Sequence, residues 1–164
     1  MCVIVDANIA PKLFSTPAQA DFRPLIRWII RGGGSIVTGG RNLDELRRVR
    51  AAADFIQEQD RRGRAHLTQP DSTLSDPVDL EEKRLADGRL CRSDDPHVVA
   101  LARVSGARTL CSHDQDLAAD FTNATLVAKP RGAVYKRAEH EHLLRHTSGC
   151  PGRASGPRRR ARKR

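Results

Sequence analysis

Aromatic residues are scarce in this chain, which has one Trp, one Tyr and four Phe among its 164 residues. Proteins that bind single-stranded nucleic acid by stacking need aromatic side chains, and no such platform is visible here. Long apolar runs are also missing, because no stretch approaches the roughly 20 residues of a membrane-spanning helix. The first residues show no basic segment followed by an apolar run. We therefore expect a cytoplasmic protein that makes no contact with a membrane.

Cysteine is infrequent and irregularly placed, at Cys2, Cys91, Cys111 and Cys150. A domain of this size does not need disulfide staples, and two of these residues fall in predicted strands, so we expect buried reduced thiols. The segment EHEHLLRHTSGC offers metal-ligand residue types at His140, His142, His146 and Cys150. It is only half of a zinc motif and has no paired cysteines, which favours a solvated helix.

Positive charge is concentrated at the end of the chain. The net charge is +9, but residues 151–164 hold seven basic residues and no acidic one, which leaves 22 basic against 20 acidic residues elsewhere. We therefore expect a folded domain over residues 1–147 and a basic, disordered tail over 148–164. Such a tail binds polyanions through counterion release, or it merely aids solubility. Its nucleic-acid-binding candidates are Arg158, Arg159, Arg160, Arg162, Lys163 and Arg164.

Apolar patterning predicts strands that alternate with helices along the body of the chain. The predicted strands cover residues 2–5, 35–38, 65–68, 108–111 and 125–128. The predicted helices cover 7–15, 21–30, 42–61, 79–90, 96–105, 115–121 and 136–146. This alternation predicts an α/β fold whose mainly parallel, about five-stranded sheet is covered by helices on both faces as a three-layer sandwich.

Acidic residues recur at the ends of these elements. Asp6 follows the first strand, and Asp114 follows the fourth. Glu45 lies in the helix after the second strand, and Asp95 precedes the helix before the fourth. If the first and fourth strands are neighbours where the strand order reverses, their acids face each other across the ligand crevice. Clustered carboxylates repel one another unless a cation lies among them, and oxygen ligands favour Mg²⁺ or Mn²⁺.

Such an ion activates water and neutralises charge on a phosphoryl oxygen, so the pattern suits phosphodiester hydrolysis. Each acid also has an ordinary structural role. Asp6 and Asp114 are both suited to capping the helix that follows, and for Asp114 a cap and a metal ligand are compatible.

Two of the acids have an acidic neighbour that competes for the same role. Glu45 stands at the capping-box position relative to Asn42, and Asp44 beside it is the alternative ligand. Asp95 precedes a proline at the first position of a predicted helix, where it is a suitable N-cap, and Asp94 is able to exchange roles with it. We favour Glu45 and Asp95 as the site acids.

Four motifs resemble the PIN domain family, the VapC-like or PilT N-terminal type of metal-dependent ribonuclease. They are VDAN, LDEL, DDPHVVALA and LCSHDQDL, in that order. The resemblance covers about residues 1–130, and its last two motifs are the most specific. It implies a PIN-like fold and an endoribonuclease that uses Mg²⁺ or Mn²⁺ to cleave single-stranded RNA. It also implies a homodimer and, for many members, a toxin that is paired with a protein antitoxin.

The same resemblance assigns roles to individual residues. It makes Asp6, Glu45, Asp95 and Asp114 the four acids of the catalytic site, with Asp116 as an accessory metal ligand. It places Asn8 and Ser112 where the family has small polar residues beside the metal. Apart from the resemblance, His97 and His113 flank the acidic clusters in the sequence, where they either contact a substrate phosphate or are only neighbours of the acids.

Two other functions compete with this interpretation. A phosphoacceptor receiver domain is suggested by Lys129 and Pro130 after the last predicted strand, but it requires an acidic pair after the first strand and an acceptor acid near Leu67, and both are missing. A non-cleaving RNA-binding or partner-binding module with the same fold would use the basic tail. The presence of all four acids argues against this second alternative.

Deletion of residues 151–164 tests whether the tail contributes to RNA binding and not to RNA cleavage. We expect weaker RNA binding and a shallower dependence on salt, by about 0.7 in the logarithmic slope for each phosphate that the tail neutralises, with an unchanged cleavage rate at saturating RNA. Fluorescence anisotropy across a salt series measures the binding. A tail in which Gln replaces each Arg and Lys controls for length, and unchanged RNA affinity would assign the tail to solubility alone.

Overall fold

The structure is a computed structural model. It describes residues 2–68 and 77–145, without the side chains of residues 66–68. Its strands form one parallel sheet in the order β3-β2-β1-β4-β5. The strands are β1 (Cys2–Val5), β2 (Ser35–Gly39), β3 (Ala65–Thr68), β4 (Thr109–Cys111) and β5 (Ala133–Tyr135). The predicted α/β class and parallel sheet are confirmed.

Helices connect these strands. They are α1 (Ala10–Leu13), α2 (Arg23–Arg31), α3 (Gly40–Arg47), α4 (Arg50–Arg61), α5 (Pro77–Asp87), α6 (Pro96–Ser105) and α7 (Gln115–Thr122). Short 3₁₀ helices cover Ala7–Ile9, Ala20–Phe22 and Ala138–Arg145. In the described part of the chain, no helix is long and apolar enough to cross a bilayer.

Two apolar cores lie on opposite faces of the sheet. Successive side chains of a strand point to opposite faces, so Val3 and Val5 pack into one core while Cys2 and Ile4 pack into the other. Helices α2 and α4 contribute to the first core, and α6 and α7 contribute to the second. Every residue of β1 is buried, as expected for a central strand that is covered on both sides.

Among the described cysteines, only Cys111 is the buried reduced thiol that we expect. Cys91 and Cys111 are both free thiols, but Cys91 is half-buried whereas Cys111 is buried. Cys2 is also buried but is disulfide-bonded, so the prediction of a reduced thiol is wrong there. Cys150 lies outside the described residues, as do His146 and the basic tail.

The last strand lies later in the chain than predicted. Residues 125–128 do not pair with β4, because the Asn123 side chain accepts hydrogen bonds from the backbone N and the hydroxyl of Thr125 (2.9 and 2.8 Å) and folds this segment into a turn. Leu126 and Val127 are instead buried in the second core. On the side away from β1, β4 pairs with β5. This strand follows Gly132, where a Cβ would overlap the carbonyl oxygen of Phe121.

The predicted helix over 42–61 is two helices. Val49 has an extended backbone (φ −95°, ψ 103°) and separates α3 from α4. Asn42 is not the N-cap, because α3 begins at Gly40 and Asn42 is buried inside it. Its amide donates to the Val5 carbonyl oxygen (2.9 Å) and accepts from the Thr38 hydroxyl (2.8 Å). The side chain therefore joins the ends of β1 and β2.

The final predicted helix, over 136–146, is the 3₁₀ helix Ala138–Arg145, in which Leu144 is the buried residue. Elsewhere the predicted ends agree well with the observed ones. Gly106 ends α6 with a left-handed backbone (φ 74°), as the break in the helical pattern indicates.

Replacing Asn42 with Ala tests the link between β1 and β2. The substitution leaves the buried Thr38 hydroxyl without its acceptor, so we expect a loss of about 1–3 kcal/mol in the free energy of unfolding. Urea denaturation measures this loss. Asn8→Ala is the matched control, because the Asn8 side chain is exposed, and it should stay within about 0.5 kcal/mol of the unaltered protein. Equal effects of the two substitutions would contradict the assignment.

Candidate functional site

The first part of the site lies where β1 and β4 end side by side. β1 pairs with β2 on one side and with β4 on the other, so the strand order reverses between β1 and β4. Asp6 directly follows β1, and its backbone N donates to the Cys111 carbonyl oxygen at the end of β4 (3.0 Å). In open α/β sheets this is the position of the ligand crevice. The first and fourth strands are therefore neighbours, which is the condition for their acids to face each other across the crevice.

A chain of hydrogen bonds joins the two strand ends. The Ser112 hydroxyl donates to Asp6 Oδ2 (2.7 Å) and accepts from the backbone N of Asp114 (2.9 Å). Asp6 Oδ1 accepts from the backbone N of Asn8 (2.9 Å), and Asp114 Oδ1 accepts from that of Leu117 (2.6 Å). Both aspartates thus cap the helices that follow them, while each carboxylate keeps further lone pairs for a ligand.

The second part of the site joins α3 to the start of α6. His97 is only 1% exposed, and its Nε2 lies 3.1 Å from Glu45 Oε2. Glu45 Oε1 accepts from the Arg41 guanidinium (2.9 Å). The other ring nitrogen, Nδ1, lies 3.9 Å from Asp95 Oδ1. Candidate ligand atoms of Glu45, Asp95 and His97 all lie within 4.8 Å of one another, a spacing that one metal ion could span.

Asp95 connects the two parts electrostatically. Burial raises the pKa of the Asp95 carboxyl, the neighbouring His97 lowers this pKa, and the carboxylates of three other residues raise it further. Those three are Asp6, Glu45 and Asp114. Asp6, Glu45 and Asp114 therefore each act on the Asp95 carboxylate, and a cation beside Asp95 would offset this repulsion.

The other predicted residues are placed differently. Asp116 is 57% exposed and forms an ion pair with Arg92 (3.2 Å). Asn8 has an exposed side chain, and its backbone N contacts Asp6. The competing acids Asp44 and Asp94 are both exposed, whereas Glu45 and Asp95 are half-buried, which agrees with the preference for the latter pair.

Three further histidines with described side chains contact the backbone. His113 is exposed, with Nε2 lying 2.8 Å from the Lys136 carbonyl oxygen. His140 Nδ1 accepts from the backbone N of Lys136 (3.1 Å), and His142 Nδ1 lies 3.1 Å from the Glu139 carbonyl oxygen. These contacts give His140 and His142 structural positions on the last 3₁₀ helix.

Two residues that matter here are not identified as site residues by sequence reasoning. The sequence indicates His97 as a neighbour of the acids or a contact to the substrate, but not as a member of the site. The signal is a histidine in the first turn of an otherwise apolar helix. Asp120 is 2% exposed, and its carboxylate accepts from the backbone N of Arg92 (3.0 and 2.9 Å) and of Ser93 (2.8 Å). Asp120 therefore holds the segment that leads to Asp95. The sequence signal for this role is an acidic residue among the apolar residues of α7.

No protein-family model, no curated protein and no solved structure matches this chain. Membership of the PIN domain family therefore stays a prediction from the four motifs. The chemistry of the site rests on its own geometry.

Replacing Asp120 with Asn tests how the loop before Asp95 is held. An amide offers one acceptor oxygen where the carboxylate offers two, and its NH₂ group faces backbone donors. We expect a loss of about 1.5–3 kcal/mol in the free energy of unfolding, the value of a hydrogen bond to a charged group. Urea denaturation measures it.

Asp116→Asn is the matched control on the same helix. The Asp116 ion pair is exposed on both sides, so its loss should cost only about 0–1 kcal/mol. A destabilisation by Asp120→Asn no larger than that of the control would show that the buried contacts do not hold the loop.

Proposed function

We propose that this protein is a Mg²⁺- or Mn²⁺-dependent endoribonuclease of the PIN-domain type, which hydrolyses phosphodiester bonds of single-stranded RNA. The observation that carries the proposal is the link between Asp6 and Asp114 through the Ser112 hydroxyl, where β1 and β4 end. In addition to burial, the carboxylates of Asp6, Glu45 and Asp114 raise the pKa of the Asp95 carboxyl, which supports a site that includes all four acids. The parallel sheet and the helices on both of its faces support a PIN-like three-layer sandwich.

The residues present fit a hard cation. Within the described part of the chain, Asp6 and Asp114 accept hydrogen bonds from neutral donors only, so their negative charges are left for a positive ligand. Burial, followed by the neighbouring Asp6 carboxylate, raises the pKa of the Cys111 thiol well above its usual range. Cys111 therefore stays protonated and offers no soft thiolate, and the oxygen donors suit Mg²⁺ or Mn²⁺.

The side chains hold this arrangement before any ion binds. Ser112 fixes the separation of Asp6 and Asp114, and it is fully buried with its hydroxyl proton donated to Asp6, so it is not a nucleophile. A bound ion would supply an activated water and charge stabilisation at the phosphoryl group. Donors and acceptors that are already in place cost no reorganisation energy during the reaction.

The wider proposal follows from the resemblance and from charge. The net charge of +9 favours association with a polyanion such as RNA. A homodimer, a protein antitoxin and a cytoplasmic location belong to the same proposal. A neighbouring reading frame for a small DNA-binding protein would support the toxin assignment. A non-cleaving RNA-binding or partner-binding module is the alternative.

Substitution of the converging acids tests the proposed chemistry. With Mn²⁺ and single-stranded RNA, we expect Asp6→Asn, Asp95→Asn and Asp114→Asn each to lower the cleavage rate by more than about a hundredfold. Loss of a residue that only supports a metal ligand costs roughly tenfold to a hundredfold, and loss of a ligand should cost more. Cleavage of a fluorescent oligoribonucleotide measures the rate.

The exposed acidic neighbours provide matched controls. Asp94→Asn and Asp44→Asn remove the same charge next to Asp95 and Glu45, so they should leave the cleavage rate nearly unchanged. Full activity in the Asp6 and Asp114 variants would contradict the proposal. Binding of RNA without any Mn²⁺-dependent cleavage would favour the non-cleaving alternative.

A further inference from the structure

The ring of His97 is held in one orientation and buried. Its Nε2 lies 3.1 Å from Glu45 Oε2, and a carboxylate at this distance accepts the Nε2 proton. In the neutral form, which is the form that binds a metal, the imidazole carries one proton, so Nδ1 then presents a lone pair. Glu45 is itself fixed on its other oxygen by Arg41. The pair therefore sets both the direction of the ring and the identity of its free nitrogen.

The free nitrogen has no hydrogen-bond partner among the residues that the structure describes, although it is buried. The nearest carboxylate oxygen, Asp95 Oδ1, is 3.9 Å away, which is too far for a hydrogen bond. A positive charge between Nδ1 and this oxygen is favourable, whether it is a second proton on the ring or a bound cation. Coordination bonds of about 2.0–2.2 Å let one ion contact two atoms up to about 4.0–4.4 Å apart, so a distance of 3.9 Å is within the reach of one ion.

We propose that His97 Nδ1 and Asp95 Oδ1 are ligands of one divalent first-row transition-metal ion, and that Glu45 positions the imidazole from the outer shell. The motif resemblance assigns four acids to the site and no histidine. The inference deepens the proposed function and rests on it for the role of the ion in cleavage, but binding of the ion is measured separately.

A nitrogen ligand changes which ion the site prefers. Imidazole suits transition metals, whereas Mg²⁺ is bound through oxygen ligands. Affinity for a mixed nitrogen and oxygen site rises along the first-row series from Mn²⁺. The carboxylates alone favour Mg²⁺ or Mn²⁺, and His97 shifts that preference away from Mg²⁺.

The cluster borders the surface and resembles known metal sites in its outer shell. The side chains of Asp95 and Glu45 are 23% and 22% exposed, whereas His97 is buried. A metal-bound histidine commonly donates its second ring N–H to a carboxylate, which fixes its tautomer and orientation. The contact between His97 and Glu45 has this form.

Pulsed EPR of Mn²⁺ bound to the full chain tests the inference. We expect coupling to a ¹⁴N nucleus in the unaltered protein, and His97→Gln should abolish this coupling and weaken Mn²⁺ binding. A large excess of Mg²⁺ should displace Mn²⁺ more readily from His97→Gln than from the unaltered protein. Glu45→Ala should retain the coupling but lower Mn²⁺ affinity by about tenfold to a hundredfold, and Glu45→Gln should restore part of it.

The controls separate this site from other histidines and from unfolding. His142→Asn removes an exposed histidine and should leave both the coupling and the affinity unchanged. Circular dichroism establishes whether His97→Gln is folded. If this variant is unfolded, the inference is tested by the ¹⁴N coupling in the unaltered protein and by the two variants Glu45→Ala and Glu45→Gln. Bound Mn²⁺ without ¹⁴N coupling in the unaltered protein, or coupling that persists in folded His97→Gln, would overturn the inference.

The same samples distinguish the two proposals. Manganese-dependent RNA cleavage without ¹⁴N coupling would leave the endoribonuclease and remove the His97 ligand. Coupling that depends on His97, together with no cleavage of RNA, would leave the metal site and remove the endoribonuclease. Absence of any Mn²⁺ binding would overturn both.

Discussion

The parallel pairing of β1 with β4 is the constraint on which the site depends. It brings together the ends of strands that are far apart in the chain, as the Ser112 to Asp6 hydrogen bond shows with its sequence separation of 106. Because Ser112 also accepts from the backbone of Asp114, one hydroxyl sets the spacing of two carboxylates. Without this pairing, the acids would be ordinary helix caps on separate loops.

Local patterns are sufficient to predict much of this architecture. A short β-branched run followed by an acid predicts both β1 and the position of Asp6, and the glycine after an apolar helical stripe predicts the end of α6. Predictions fail where a side chain has a long-range partner. The pattern around Asn42 is that of a capping box, but its amide bonds to Val5, 37 residues away, and nothing local indicates this.

The apolar segment near Leu126 shows the second limit. Its residues are as suitable for a strand as those of β5, and the choice is decided by Asn123 turning the chain and by burial in the second core. His97 shows a third limit, because its role depends on Glu45 from another helix. Sequence reasoning proposes the carboxylates as candidates from their places near strand and helix ends, but it does not propose the imidazole, whose role is defined by its contacts.

The contacts of Asp120 close the stretch from residue 92 to residue 120 on itself. The Asp120 carboxylate at the end of this stretch accepts hydrogen bonds from the backbone at its beginning. Asp95 and Asp114 lie within the stretch that these bonds close. The separation between these two acids is therefore an internal property of one segment, which contains α6, β4 and most of α7. Such a segment is a natural unit for transplantation into another parallel sheet, because it carries half of the acidic cluster with its geometry intact.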